Sequence, residues 1–376
     1  MKILFTGGGS GGHFYPIIAV AEALQEKAEE EKYVGIELYY MSDSPYNKRA
    51  LFEAHLTYIH TTAGRSRTYL SIRNISDSLK TVFGLITSTW KLYTLFPDVI
   101  FAKGGYASFP ALFAAKLLQI PVVIHESDSV PGRVNRWAGK FARYVAVSYA
   151  EAETFFPKEK VAVTGNPVRS ALIDLSASGA REFFGAEAGV PIIYITGGSQ
   201  GAMTINNMIV DMLPQLVEKY TVVHQIGALN LGDVKSRAAL VLGQSSNKDR
   251  YKPFGYLDMS ATRMIGACAN IIISRAGSTI FEIAAWGTPS ILIPLSGEIA
   301  HGDHQRANAY NYAHSGAAIV IEEKNLGPHL LASEIDRILG SVAIQEEMRL
   351  GARKFFKPDA AKIIAEALLN IGLEHE

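Results

Sequence analysis

Two glycine-rich segments of this chain have residue types and positions that suit phosphate binding. Gly7-Gly8-Gly9-Ser10-Gly11-Gly12-His13 follows the apolar run 2–6, and Gly197-Gly198-Ser199-Gln200-Gly201 follows the apolar run 192–196. A strand that turns tightly into a helix leaves backbone N–H groups at the positive end of that helix, where they attract phosphate. Glycine permits the left-handed backbone of such turns and a close approach of the ligand. Two such loops, one in each half, predict paired nucleotide-binding domains.

The first loop also satisfies the dinucleotide fingerprint G-x-G-x-x-G through Gly7, Gly9 and Gly12. A nicotinamide or flavin enzyme is therefore an alternative. That alternative requires an acidic residue at the end of the second strand, where it would bind a ribose. Asp43 is available, although it follows a longer helix than the usual unit contains.

His13 lies just after the first loop, on the predicted first turn of a helix. The helix dipole disfavours a charged imidazole at that end, and a neutral imidazole is what a general base requires. His13 is therefore a candidate base, and a purely structural histidine is the alternative.

The segment 274–282 follows another apolar run and opens another helix. Gly277, Ser278 and Thr279 can present N–H and hydroxyl donors to a diphosphate. Glu282 falls about one turn into the helix, where its carboxylate can accept from two ribose hydroxyls. The alternative is an ordinary Ser/Thr cap with a stabilising glutamate in the first turn.

The sequence contains no D-x-D, H-x-x-x-H or C-x-x-C pattern, so we expect no metal and no cofactor. Glycine loops and helix N-termini would then neutralise a leaving diphosphate. The polar cluster 303–308, Asp-His-Gln-Arg-Ala-Asn, is richer in amide and ionic groups than an ordinary surface helix.

The composition describes an ordinary globular protein of 376 residues, 48% hydrophobic and 19% charged, long enough for two cores. Lys+Arg and Asp+Glu are 36 each, and this balance argues against nucleic acid as the main partner. The single Cys268, in a small-residue stretch expected to be packed helix, indicates a reducing cytoplasm. The sequence predicts neither a signal peptide nor a membrane-spanning helix.

Short apolar runs alternate with helical patterns along the chain, which predicts an α/β protein with parallel sheets covered on both faces. Gly165-Asn166-Pro167-Val168-Arg169 reads as the connection between the halves, and Ala360–Ile371 as a final amphipathic helix. The predicted strands are Ile3–Thr6, Ile36–Met41, Val99–Ala102, Val122–His125, Tyr144–Ser148, Val161–Thr164, Ile192–Thr196, Thr221–Ile226, Asn270–Ser274, Ser290–Pro294 and Ala317–Ile321.

The segment 65–96 combines basic residues with a helix that is apolar over most of its circumference. One stripe is Leu79, Phe83, Ile86, Trp90 and Tyr93, and a second is Val82, Leu85, Leu92 and Phe96. Burial of the whole helix is one interpretation. The other is that one stripe packs on the sheet while the other, ringed by Arg65, Arg67, Arg73, Lys80 and Lys91, docks on anionic lipid.

Several motifs, in this order, resemble the MurG family of bacterial N-acetylglucosaminyltransferases, in glycosyltransferase family 28. They are the segments 8–13, 104–106 (Gly-Gly-Tyr), 125–126 (His-Glu), 165–169, 197–202, 275–277 and 303–309. The resemblance runs from about residue 1 to about 325 and implies a GT-B fold, with two Rossmann-like domains facing across a cleft. The implied domains are 1–164, facing the acceptor and the membrane, and 165–356, binding the UDP-sugar, with the helix 357–376 packing back on the first.

The resemblance also implies roles for individual residues toward the donor, UDP-N-acetylglucosamine. Ser199 and Arg169 would contact the uridine diphosphate, Tyr256 the uracil through its backbone, Glu282 the ribose and Gln305 the sugar hydroxyls. Further donor contacts would come from Ser10, Gly11, Gly12, Ser278 and Thr279, and Gly104-Gly105-Tyr106 would form an acceptor phosphate loop. Two departures are visible: Glu126-Ser127-Asp128 replaces the usual Glu-Gln-Asn, so that Asp128 stands for an asparagine, and the interval Arg275–Glu282 is one residue shorter than usual.

The implied activity is inverting transfer of N-acetylglucosamine to the 4-hydroxyl of the muramyl sugar of lipid I, undecaprenyl-pyrophosphoryl-muramyl-peptide. The product would be lipid II, made by a peripheral protein at the cytoplasmic face of the plasma membrane. His13 and Glu126 are the candidate bases, and a neutral imidazole is the better proton acceptor near pH 7. Alternatives are a related enzyme with another lipid acceptor, a UDP-sugar 2-epimerase and a non-catalytic nucleotide-sugar-binding subunit.

Overall fold

A computed structural model describes residues 1–64, 73–173, 175–198, 201–295 and 302–374, with backbone only at 73–76 and 302–303. Its contacts divide the chain into two compact units. Unit 1 consists of Met1–Arg169 and Lys357–Glu376, and unit 2 of Ser170–Phe356.

Within the described residues, unit 1 is built on a sheet of seven parallel strands in the order β3-β2-β1-β4-β5-β6-β7. The strands are β1 (Lys2–Thr6), β2 (Glu37–Ser42), β3 (Leu56–His60), β4 (Val99–Ala102), β5 (Val122–Glu126), β6 (Tyr144–Val147) and β7 (Val161–Val163). The helices between them are α1 (Gly11–Glu30), α2 (Lys48–Glu53), α3 (Arg73–Leu95), α4 (Phe109–Leu118) and α5 (Arg133–Ala138).

Unit 2 repeats this plan with six described parallel strands in the order β10-β9-β8-β11-β12-β13. They are β8 (Ile192–Thr196), β9 (Thr221–Gln225), β10 (Tyr251–Phe254), β11 (Ile271–Ser274), β12 (Ser290–Leu292) and β13 (Ala318–Val320). The helices are α6 (Ala180–Phe183), α7 (Met203–Lys219), α8 (Leu231–Leu242), α9 (Met259–Cys268), α10 (Thr279–Trp286), α11 (Gly302–Ala313), α12 (Pro328–Leu339) and α13 (Val342–Phe355).

The last helix, α14 (Ala360–Leu373), belongs to unit 1. Its apolar face, including Ile364 and Leu368, joins the core that α1 forms over β1 and β4. A second core covers the other face of the same sheet, between β4, β5 and α4. The central strands are thus buried on both faces, as their unbroken apolar sequences require.

The predicted alternation of parallel strands and helices is confirmed, and the ends of the predicted strands agree within two residues. Two strands were not predicted, β3 and β10, and both lie at sheet edges. β10 contains Pro253, which has no N–H to donate and is tolerated because an edge strand has a neighbour on one side only. β3 is partly exposed and lacks the continuous apolar run of a central strand.

Candidate functional site

The predicted motifs lie at equivalent places in the two units, at the carboxyl ends of the central strands. In unit 1 the order of the strands reverses between β1 and β4, and in unit 2 between β8 and β11. Ligands of open α/β sheets bind in the crevice at this switch point. The loops that follow these four strands carry the segments 7–10, 103–106, 197–201 and 275–278.

In unit 1 the two glycine loops meet at His13, in the first turn of α1. Nδ1 of His13 lies 3.0 Å from Oγ of Ser10, which fixes the ring from one side. A Cβ on Gly105 would lie 3.4 Å from the same nitrogen, so the backbone of the second loop closes the other side. Gly105 has φ +80°, where a side chain is strained, and glycine is therefore required for this contact. Gly11 and Gly12 open the helix beside it.

Tyr106 links the same two loops to the end of β2. Its hydroxyl donates to Oδ2 of Asp43 at 2.6 Å, and its ring lies against Gly9, where a Cβ would be only 2.8 Å from it. Oδ1 of Asp43 accepts from Ser42 at 3.3 Å. The carboxylate that a dinucleotide would need for its ribose is thus engaged in holding Tyr106, which disfavours the nicotinamide or flavin alternative.

Glu126, at the end of β5, is buried and accepts three N–H bonds. Oε1 accepts from the backbone of Asp128 at 2.9 Å, and Oε2 from Gly132 at 3.0 Å and from Nδ2 of Asn135 at 2.9 Å. Burial raises the pKa of Glu126 and the charge of Asp128 adds to this, while the three donors lower it. A carboxylate so occupied organises the loop 126–132 and is poorly placed to accept a substrate proton. This geometry favours His13 of the two candidate bases.

Beneath the glycine loops of unit 1 lies a buried lysine that the sequence analysis missed. Nζ of Lys103 donates to Nδ1 of His125 at 2.5 Å and to Oδ1 of Asn166 at 3.0 Å. His125 therefore carries its proton on Nε2, which donates to the carbonyl of Gly165 at 2.9 Å. Burial lowers the pKa of Lys103 to about 7, against the opposing effect of Glu126 and Asp128. Burial, aided by Lys103, also holds the pKa of His125 well below its ordinary value.

Lys103 and His125 thus hold the segment 165–169 against the sheet of unit 1. Arg169, at the end of that segment, is buried with its guanidinium carbon 3.9 Å from the centre of the Tyr15 ring. The signal that could have identified Lys103 is its position, a lysine directly after a wholly apolar strand and directly before two glycines.

In unit 2 the structure brings the predicted donor residues to the same edge of the sheet. Tyr256 is half exposed in the loop after β10, and Ser278 and Thr279 begin α10 after β11. Gln305, on α11, accepts through Oε1 from the N–H of Leu295 at 3.0 Å. The predicted contact Ser199 lies outside the described residues.

Glu282 is half-buried in the first turn of α10. Ser278 makes no side-chain cap hydrogen bond, so the capping alternative lacks its defining contact. Burial raises the pKa of the Tyr194 hydroxyl, and the charge of Glu282 adds to this effect. Arg275, in contrast, donates to the carbonyl of Ile293 and to Glu323, and these bonds tie the strand ends together.

Among the described residues, no group of three or more His, Cys, Asp or Glu side chains could hold a metal ion. In the same part of the chain, no helix has both the length and the apolarity needed to cross a bilayer.

α3 exposes most of its large apolar side chains and buries a narrow face. Gly84, Ser88 and Leu92 face inward, and the hydroxyls of Ser88 and Thr61 lie 2.6 Å apart. The predicted stripe is between 60 and 68% exposed along its length, at Leu79, Phe83, Ile86, Trp90 and Tyr93. Burial of the whole helix is therefore wrong. The second predicted stripe is divided, since Leu92 is in the core whereas Val82 and Phe96 are exposed.

Comparisons with known proteins agree with this arrangement. The family models for the glycosyltransferase family 28 N-terminal and C-terminal domains match residues 3–147 and 192–364. A Bacillus thuringiensis protein named UDP-N-acetylglucosamine–N-acetylmuramyl-(pentapeptide) pyrophosphoryl-undecaprenol N-acetylglucosamine transferase 3 is 35% identical over 338 residues, which are 90% of this chain and 91% of the relative. The transferase of that name from Treponema denticola is 34% identical over 364 residues, 92% of this chain and 89% of the relative.

Solved structures give the same result. The crystal structure of Acinetobacter baumannii MurG superposes with a TM-score of 0.70 at 25% identity and covers 98% of this chain and 99% of that one. A Neisseria meningitidis UDP-GlcNAc 2-epimerase bound to UDP-GlcNAc also reaches 0.70, covering 98% of this chain and 100% of its own, but at 16% identity it shares the fold alone. The predicted GT-B fold is confirmed. The chain belongs to glycosyltransferase family 28 and, within it, to the MurG transferases.

Proposed function

We propose that this enzyme transfers N-acetylglucosamine from UDP-N-acetylglucosamine to the 4-hydroxyl of the muramyl sugar of lipid I, giving lipid II for peptidoglycan synthesis. The observation that carries the proposal is the 35% identity to a transferase of this name over nine-tenths of both chains. The placement of the motif residues at both switch points supports it. The donor is assigned mainly to unit 2, and the acceptor to unit 1. Ser10, Gly11, Gly12, Asp128 and Arg169 of unit 1 supply the further donor contacts that the family resemblance implies.

On the acceptor side, we assign the base to His13. Its imidazole accepts the proton of the attacking 4-hydroxyl while the new bond to the anomeric carbon forms from the face opposite the diphosphate, and UDP leaves with the bonding electrons. Ser10 and Gly105 orient the ring. The N–H groups of the loops 7–10 and 104–106 would face the diphosphate of the lipid carrier, as turns with left-handed glycines do.

On the donor side, Glu282 accepts from the ribose hydroxyls, and the N-terminus of α10 with Ser278 and Thr279 faces the diphosphate. Gln305, Tyr256, Ser199 and Arg169 keep the roles that the family resemblance gives them. Asp128 replaces an amide that could both donate and accept, so it can only accept from the donor sugar when it is ionised.

The test is incubation of the purified protein with radiolabelled UDP-N-acetylglucosamine and lipid I. Transfer predicts label in the organic phase, in a product that requires both substrates. Label that stays in a free sugar with an inverted 2-position would indicate the epimerase, and no turnover despite UDP binding would indicate a binding subunit. A diacylglycerol acceptor in place of lipid I tests the remaining enzyme alternative.

We also propose that the exposed face of α3, defined by Leu79, Phe83, Ile86 and Trp90, docks on anionic lipid, which places the enzyme at the cytoplasmic face of the plasma membrane. A lipid-linked acceptor must be reached at the bilayer surface. Contiguous large apolar side chains on the outside of a globular unit are unusual and mark interaction sites. The exposed Lys80 can meet lipid phosphates beside them.

The membrane proposal is tested with Phe83→Ser and Trp90→Ser combined. This variant should sediment less with phosphatidylglycerol vesicles while its UDP affinity is unchanged. Leu229→Ser with Leu240→Ser is the matched control, because both residues are more than 80% exposed and lie in unit 2. Equal loss of sedimentation in both variants, or none in either, would remove α3 as the docking surface.

A further inference from the structure

Gln225, in unit 2, is not one of the residues predicted to contact the donor. It is the last residue of β9 and pairs with the last residue of each neighbouring strand, Thr196 of β8 and Phe254 of β10. Its side chain is buried. The loops that follow those two neighbours contain the segment 197–201 and Tyr256. Gln225 thus lies under both loops at once.

The carboxamide of Gln225 bonds to both loops with complementary groups. Nε2 lies 3.2 Å from Oγ1 of Thr196 and donates to the carbonyl of Gly198 at 3.3 Å. Oε1 accepts from the backbone N–H of Leu257 at 3.1 Å. The orientation of the amide follows from these partners, since a carbonyl can only accept and a backbone N–H can only donate.

Gly198 is held from both of its backbone groups. Its N–H donates to Oγ1 of Thr196 at 3.1 Å while its carbonyl accepts from Gln225. Its φ is +83°, and a Cβ there would meet nothing within 4 Å, so the exposed side of this loop is open. The conformation of Gly198 is therefore set from beneath, by Thr196 and Gln225.

The other loop is fixed immediately beside the residue predicted to meet the uracil. Leu257 is buried and bonded to Gln225, and Asp258 caps α9 by accepting from Ala261 at 2.9 Å. Tyr256 is the last exposed residue before these two anchors. A substitution at Gln225 would free the backbone beside Tyr256, although Gln225 itself would contact no ligand.

We propose that Gln225 is a positioning residue that couples the diphosphate loop after β8 to the uracil-contacting segment after β10, so that one amide sets the spacing of the two halves of the nucleotide. The inference rests on the proposed function, because it takes the ligand of unit 2 to be a uridine diphosphate sugar. Gln225 acts through backbone groups and is not itself a catalytic residue.

The experiment compares Gln225→Glu and Gln225→Leu by calorimetry with uridine and with UDP. A glutamate keeps an acceptor for Leu257 but cannot donate to Gly198. Q225E should therefore bind uridine like the wild type and UDP about tenfold more weakly, whereas Q225L should weaken on both ligands, as each lost hydrogen bond costs roughly three- to tenfold. In turnover, KM for the donor should rise in both variants while kcat at saturating donor changes less than about threefold.

Asn270→Leu is the matched control. Asn270, directly before β11, is another carboxamide of the same sheet, but it accepts from Ile192 at the opposite end of β8. N270L should lose stability without changing the affinity for either ligand. The coupling is refuted if Q225E keeps the wild-type ratio of UDP affinity to uridine affinity. It is also refuted if N270L shifts this ratio as much as Q225E does. Both outcomes can be measured even where Q225L does not fold. A wild-type protein that binds no UDP would refute the proposed function instead.

Discussion

The two switch points share a topology but are supported by different chemistry. Under the loops of unit 1 lie buried ionisable groups, Lys103, His125 and Glu126. Under the equivalent loops of unit 2 lies the neutral amide of Gln225, next to a neutral buried histidine, His224, which bonds to Asn206 and Tyr251. The buried charge at this switch point, Arg275, is paired with Glu323. Burial lowers the pKa of His224 to about 3, so it stays uncharged throughout the physiological range.

This difference follows from what each unit is proposed to do. A unit that moves a proton needs groups whose charge responds to their surroundings, and it tolerates the cost of burying them. A unit that only holds a nucleotide is served by amides, which give direction without charge. Unit 1 is therefore expected to respond to pH near neutrality, and unit 2 is not.

The largest expected effect is on the chemical step. His13→Ala should lower kcat by roughly 10²- to 10⁴-fold, because the attacking hydroxyl loses its base. UDP affinity, measured by calorimetry, should be unchanged. His60→Ala is the control, since His60 is an exposed histidine of the same unit. If UDP affinity falls as far as kcat, His13 is a binding residue and Glu126 becomes the base to test.

The next largest effect is on the donor. Glu282→Ala removes a charged acceptor for two ribose hydroxyls and should weaken UDP binding by roughly 2–4 kcal/mol. Uracil alone, which lacks the ribose, should bind equally to variant and wild type. Unchanged UDP affinity would return Glu282 to the role of an ordinary first-turn glutamate.

The sequence predicted those features that local patterns of glycine and apolar residues determine. Both loops, the order of strands and helices, and the exposed stripe of α3 follow from runs of residues close together in the chain. Lys103 and Gln225 were not predicted, because their meaning depends on partners far along the sequence. Lys103 meets Asn166, and Gln225 meets Leu257, only when parallel strands bring their carboxyl ends to one edge. The edge strand β10 was missed because Pro253 argues against a strand unless its position in the sheet is known.

A smaller effect concerns the stability of unit 1. The pKa of Lys103 falls from its ordinary 10.5 to about 7 on folding, so above pH 7 the unfolded chain binds more protons than the folded one. Stability should therefore rise with pH, by roughly 1–2 kcal/mol between pH 7.0 and 8.5. His125, neutral when folded, acts in the same direction below that window.

Lys103→Met should abolish this rise, and denaturant unfolding of unit 1 at the two pH values measures it. The variant should also be less stable at pH 8.5, because His125 and Asn166 lose their donor. Lys158→Met, at an exposed lysine of the same unit, is the control and should keep the rise. A rise that persists in Lys103→Met would assign it to another group.

The smallest expected effect is none, and it tests the contrast between the units directly. Between pH 7.0 and 8.5 the affinity of the wild type for UDP should change by less than about twofold, because none of the groups with a shifted pKa among the described residues of unit 2 titrates there. A group whose pKa changed by one unit on binding would alter the affinity by about 1.4 kcal/mol. The pKa of His224 is about 3, that of Cys268 is raised by burial to about 11, and burial raises the pKa of Tyr194 and Tyr251 further above neutrality. Calorimetry at several pH values, in buffers of different protonation enthalpy, would also report any proton taken up on binding. A tenfold change in affinity, or uptake of one proton, would show that a group of unit 2 with a near-neutral pKa faces the nucleotide. The residues beneath the loops of the two units would then no longer differ in their response to pH.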